Sequence, residues 1–166
     1  MPGQTLDRTS AAPAAARLEA DEVVRRRFAR LTAIAAVFTY LLIVFGGVVR
    51  ITGSGLGCGD DWPLCNGRLI PPFDLPTLIE YVHRLLAAIL IIPYGAVTVY
   101  ALRHRKAEGL GGAGGPIRPI VVAAGLLVVQ ALLGALTVKL ELPGGVTALH
   151  FVTAILILGA LLVATV

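Results

Sequence analysis

The sequence predicts an all-α polytopic membrane protein, a bundle of four transmembrane helices, and three observations predict it. The chain is 57% hydrophobic and only 14% charged, where an average soluble domain carries about 25% charged residues; its mean hydropathy is +0.85. Four apolar stretches, at about 29–50, 77–102, 117–139 and 146–166, are each long enough to cross a hydrocarbon core, which takes about 20 residues at 1.5 Å per residue. Gly, Pro or charge separates each stretch from the next, and the runs are continuous. They lack the alternation, about ten residues at a time, of a transmembrane β-barrel.

Residues 1–27 are rich in Ala, Arg and Glu without a periodic apolar face, and read as a disordered cytoplasmic tail. The four-helix membrane domain then occupies 28–166. Its first span is too long for a cleaved signal peptide and has no small-residue cleavage site before Arg50, so it reads as a retained helix. "GLGC" at 55–58 has the form of a lipoprotein cleavage site, but Arg50 and seven further residues part it from the apolar run. A loop over 51–76 leads to the second span, a basic loop to the third and a very short one to the fourth. The chain stops at Val166 inside an apolar run, which reads as the front part of something longer.

Charge sets the expected orientation. Arg25, Arg26, Arg27 and Arg30 precede the first span, and Arg103, Arg105, Lys106 and Arg118 flank the second connection. The first loop holds Asp60, Asp61, Asp74 and only Arg68. The excess of Lys and Arg alternates sides, so the N-terminus is expected in the cytoplasm and the first loop outside the cell membrane. This bias accounts for the net charge of +4. It implies membrane lipid as the surrounding partner, and no nucleic acid.

The two cysteines, Cys58 and Cys65, both lie in that outer loop, where disulfides persist. A bond between them would close a small ring containing Trp62 and Pro63. One reading is a structural staple, the other a redox-active pair, since exposed and strained disulfides are the labile ones. Two sulfurs alone make half a zinc site.

Polar groups at membrane depth are costly and mark function by default. Three stand out: Glu80, His83 and His150. His83 falls roughly 9 Å below the outer surface, and His150 at about the same depth, on spans running in the same direction. That suits two axial nitrogens on opposite faces of one haem iron. A membrane histidine can also be a hydrogen-bonded packing residue. Glu80 precedes His83 by three positions and Arg84 by four. The carboxylate therefore either pairs with Arg84 or stands beside a haem edge to take a proton, with Arg84 turned to haem propionates. His104, in "RHRK", reads as a solvated loop residue. The halves echo each other: "HRLLAAIL" at 83–90 with "HFVTAILI" at 150–157, and "GGVVRITG" with "LGALTVKL". Gly46, Gly47, Gly125 and Gly134 would let the helices approach closely.

In order, "GGVVRITGSGLGCGDDWPLCNG" (46–67), "IEYVHR" (79–84), "QALLGALTV" (130–138) and "ALHF" (148–151) closely resemble the haem A synthase family (CtaA/Cox15). The resemblance implies half of a pseudo-symmetric eight-helix protein, the N-terminal four-helix half. It implies oxidation of a haem O methyl group to the formyl group of haem A, for assembly of haem–copper terminal oxidases. By the same resemblance His83 and His150 ligate haem iron, Glu80 is the catalytic carboxylate, and Cys58 and Cys65 form a disulfide. The bound group is then haem b or the substrate haem O. The partners implied are haem O synthase, terminal-oxidase assembly factors and an unidentified electron acceptor. A second E-x-x-H-R segment and a second pair of histidines are missing from this sequence. The competing reading is a non-enzymatic bis-histidine cytochrome that passes electrons, which needs neither Glu80 nor the cysteine loop; a helical scaffold without a cofactor is the third.

Overall fold

The protein is described here by a computed structural model covering residues 8–165 except Ala113, with side chains from Ala14 onward. It folds as four helices, α1 (Arg8–Ile51), α2 (Leu75–Arg103), α3 (Ile117–Lys139) and α4 (Gly144–Thr165). All four are long and apolar enough to cross a membrane. Among the described residues, the only β feature is an isolated bridge between Cys65 and Arg68.

Residues 8–27, expected as a disordered tail, are helical here and continue α1 without a break; residues 1–7 lie outside the described residues. Propensity accounts for this where periodicity did not, because Ala and Arg are strong helix formers. Glu22 accepts hydrogen bonds from Arg25 and, at 2.7 Å, from Arg26, the i,i+3 and i,i+4 pairing that supports an exposed helix. The extension is also tied down. Asp21 Oδ2 accepts from the Glu108 backbone N–H at 3.1 Å, and Tyr100 Oη donates to the Val24 carbonyl at 3.4 Å.

The start of α2 follows local chemistry. Asp74 is its N-cap and accepts from the Thr77 N–H at 3.2 Å, with Pro76 in the first turn, where its missing N–H is not needed. Hydrogen bonds from Thr77 hold the Asp74 carboxyl below the usual carboxylate range. The connection from α3 to α4 passes through Glu141 and Leu142, both left-handed at φ 57° and 62°. That conformation costs about 1–2 kcal/mol per non-glycine residue. The turn is closed by Leu142 N–H to the Thr137 carbonyl at 2.8 Å and Glu141 N–H to the Val138 carbonyl at 3.0 Å. Leu142 comes to rest on the first loop, where a Cβ at Gly55 would sit 3.1 Å from its Cδ1.

Each helix packs on its neighbours in sequence and α1 packs on α4, while α1 and α3 do not meet, nor do α2 and α4. The bundle is thus a ring of four in which α2 and α4 stand diagonally. Its buried apolar cluster is confined to one half of the length. Its members, Phe28, Leu90, Val97 and Leu161 among them, all lie before residue 37, between 90 and 123, or after 156. The cysteine loop lies at the other end. Tyr94, 4% exposed, ties α2 to α1 at the edge of that cluster: its hydroxyl is 2.9 Å from Thr39 Oγ1, which donates to the Ala35 carbonyl at 2.7 Å. A helix-to-helix hydrogen bond in a membrane contributes roughly 0.6 kcal/mol. Tyr94→Phe is expected to lower stability by about that amount, read as a small drop in the thermal midpoint in detergent with the helical circular dichroism unchanged.

Candidate functional site

His83 lies eight positions into α2 and His150 six into α4. At 1.5 Å per residue these are about 12 and 9 Å from the helix starts, so the two imidazoles stand level to within one helical turn. They occupy the half of the bundle that the apolar cluster leaves free. Each ring lies over a glycine of the preceding helix. A Cβ at Gly46 on α1 would be 3.2 Å from His83 Cε1, and one at Gly134 on α3 would be 3.2 Å from His150 Cε1. The same relation recurs in both hairpins, so the faint sequence echo corresponds to a structural repeat. Phe45 flanks His83, with ring centroids 6.1 Å apart.

Hydrogen bonding separates these histidines from ordinary packing residues. A buried polar atom left unpaired costs about 1–3 kcal/mol, and a packing histidine is held by bonds that avoid the cost. Nδ1 of His83 and Nδ1 of His150 are both buried without a partner. His83 makes no hydrogen bond at all among the described residues, and His150 makes one, with Nε2 3.3 Å from Gln130 Nε2. Two imidazoles on diagonal helices, level, set over glycines and short of partners, fit a flat macrocycle held by nitrogens from both sides. His104 stands at the opposite end. It caps α2, its Nδ1–H donates to the Tyr100 carbonyl at 2.9 Å, and its ring stacks on Tyr100.

Beside His83, the cysteine loop is clamped to α2. Cys58 and Cys65 form a disulfide with their Cα atoms 4.4 Å apart. Asn66 and Gly67, at φ 51° and 72°, make the two-residue turn that pairs Cys65 with Arg68, the hairpin geometry Asn-Gly favours. Residues 77, 80 and 84 lie along one stripe of α2 and grip the loop. Thr77 Oγ1 donates to the Gly57 carbonyl at 2.7 Å, and Glu80 Oε2 accepts from the Cys58 N–H at 2.8 Å. Arg84 Nη1 donates to the carbonyls of Asp61 at 2.6 Å and Leu64 at 2.8 Å. Glu80 and Arg84 close the set as an ion pair, Oε1 accepting from Nη2 at 2.5 Å and Nε at 3.1 Å.

Of the two readings of this pair, the structure displays the mutual one: Nε and Nη2 of Arg84 share Glu80, and Nη1 serves two loop carbonyls. Glu80, 3% exposed, belongs to the same network, and Cys58 and Cys65 are 0% and 2% exposed. A thiol exchange partner must reach a sulfur, and neither cysteine offers one on the surface in this conformation.

Several participants carried no obvious flag in the sequence. Gly57 is one: a Cβ there would fall 2.6 Å from the backbone of Pro76 and 2.7 Å from Thr77 Cα, so loop and helix backbones touch only because the side chain is absent. Gly57→Ala is expected to push the loop off α2 and to cost about 1–3 kcal/mol, checked as a lowered thermal midpoint together with faster reduction of the disulfide by dithiothreitol. Thr77 carries no such flag either, whereas Asn66–Gly67 is a strong hairpin signal. Gln130 was findable as a lone amide inside an apolar span.

Fold and site together define a polytopic membrane protein whose polar interior is a pair of level imidazoles beside a disulfide-closed loop. The chain belongs to the COX15-CtaA family, described as cytochrome oxidase assembly protein, whose profile matches residues 29–76 and 72–166. It is 35% identical over 130 residues to the haem A synthase of an Exiguobacterium species, covering 76% of this chain and 40% of that protein. It is 37% identical over 142 residues to the haem A synthase of Lysinibacillus sphaericus (82% and 43%), and 38% over 108 residues to that of Staphylococcus aureus (64% and 34%). The chain thus spans about two-fifths of the length of the curated relatives it matches.

Proposed function

We propose that this chain is a haem-holding four-helix unit of a haem A synthase, acting on haem O to produce haem A for haem–copper terminal oxidases. The observation that carries the reading is the pair His83 and His150: level, on diagonal helices, and each seated on a glycine. Family membership supports the same chemistry, as do relatives that carry the name haem A synthase. The charge distribution supports a cytoplasmic N-terminus and an extracytoplasmic cysteine loop in the cell membrane.

In this reading His83 and His150 hold the haem, whether haem b or the substrate haem O, by their ring nitrogens. The bound haem supplies the iron redox chemistry, while the protein supplies ligands, orientation and a low-dielectric surrounding. Glu80, one turn before His83, is the proton-accepting group for methyl oxidation. Its Oε1 already accepts two N–H groups from Arg84 and its Oε2 only one, from Cys58, so the open lone pair for a proton is at Oε2. Arg84 fixes that carboxylate and, through it, the cysteine loop. Electrons pass on to an acceptor outside this chain, with haem O synthase and the oxidase assembly factors as neighbours in the same process.

The test is spectroscopic and chemical. The full chain, produced in haem-replete cells that also make haem O, should show a Soret band in purified form. Acid–acetone extraction should then yield haem O, and haem A wherever the unit is competent for oxidation. A purified, folded protein with no Soret absorbance would refute the haem reading.

A further inference from the structure

We infer that Gln130 is a positioning residue that holds His150 away from the iron, making His150 the exchangeable ligand and His83 the fixed one. The inference rests on the haem reading above and deepens it.

The two hairpins present their imidazoles in the same frame, over Gly46 and over Gly134. One turn earlier on the supporting helix they diverge. Four residues before Gly134 stands Gln130, and four before Gly46 stands Leu42. Leu42 offers no hydrogen bond, and His83 accordingly has none. Gln130 Nε2 lies 3.3 Å from His150 Nε2. The other end of the amide, Oε1, is buried without a partner, so among the described residues His150 is what holds the Gln130 amide in place.

An imidazole binds a metal through the lone pair of one ring nitrogen. Nδ1 of His150 is buried on the side of Gly134, where a Cβ would be 3.8 Å from it, so Nε2 is the nitrogen left to meet an iron, and its lone pair is the one the amide addresses. If the amide N–H donates, the lone pair is used; if the amide is turned, its oxygen accepts a proton that Nε2 must then carry. Either arrangement excludes coordination through Nε2. The hydrogen bond to Gln130 and an Nε2–iron bond therefore compete, one breaking as the other forms, with no electron transferred. Hydrogen bonds of this type bias an equilibrium by roughly two- to ten-fold, enough to open the His150 side of the iron for part of the time. Among the described residues no such competitor faces His83.

Carbon monoxide, which needs a vacant position on ferrous iron, reports this opening directly. The full chain loaded with iron protoporphyrin would be reduced and titrated with carbon monoxide by absorbance, alongside Gln130→Met and Gln130→Leu. Met keeps the length and removes the amide; Leu copies the residue at the matching position of the first hairpin. Both variants should bind carbon monoxide roughly two- to ten-fold more weakly than the parent, with a more fully low-spin spectrum beforehand. In a His150→Ala background the same change at 130 should have no effect. Unchanged affinity in both variants, or an effect that persists without His150, would overturn the role of Gln130. Absence of a Soret band in the loaded parent protein would instead overturn the haem reading.

Discussion

Arg84→Ala is expected to destabilise the protein by about 3–5 kcal/mol, the cost of leaving a buried charge without its partner. Glu80 is 3% exposed, its Oε1 is served by Arg84 alone, and its Oε2 keeps only the Cys58 N–H. The substitution also strips the donor from the carbonyls of Asp61 and Leu64, both within the ring that the disulfide closes. The loss should appear as a large fall in the thermal midpoint in detergent. Arg84→Lys should recover only part of it, since one ammonium does not span a carboxylate and two carbonyls in the planar fork geometry of a guanidinium. The double variant Glu80→Gln/Arg84→Met removes both charges and should lie closer to the parent than Arg84→Ala does. If Arg84→Ala melts with the parent, the clamp contributes nothing to stability.

His83→Ala is the second large effect. It removes the imidazole that no protein group competes for, and purified variant protein should retain haem at a level at least about ten-fold below the parent, each ten-fold corresponding to about 1.4 kcal/mol. His150→Ala should retain more, because its partner is the ligand that stays bound. Pyridine haemochrome content per mole of folded protein measures both. Equal retention by the two variants would contradict the asymmetry between them, and full retention by both would show that these histidines do not hold the group.

Much of this was legible in the chain because membrane sequence is written in long blocks. Three of the four helices begin and end within about two residues of the expected spans, since apolar length and the Gly, Pro and charged breaks set both limits. The Glu80–Arg84 pair followed from i,i+4 spacing. What escaped depends on contacts between distant segments. The clamp joins residues 20 to 23 positions apart through backbone carbonyls, and carbonyls carry no residue-type signature. Gly57 matters for what would collide with a side chain it lacks. The helical run over 8–27 escaped for another reason: a search for amphipathic periodicity is blind to a helix held by propensity, local ion pairs and docking at Asp21 and Val24.

The one-sided placement of the apolar cluster divides labour along the helix axis. Apart from the loop clamp, the packing that joins the helices is concentrated where Phe28, Val97 and Leu161 meet, so the walls around the imidazoles themselves contribute little of it. That region can exchange its contents, or be remodelled by substitution, while the foundation beneath stays intact.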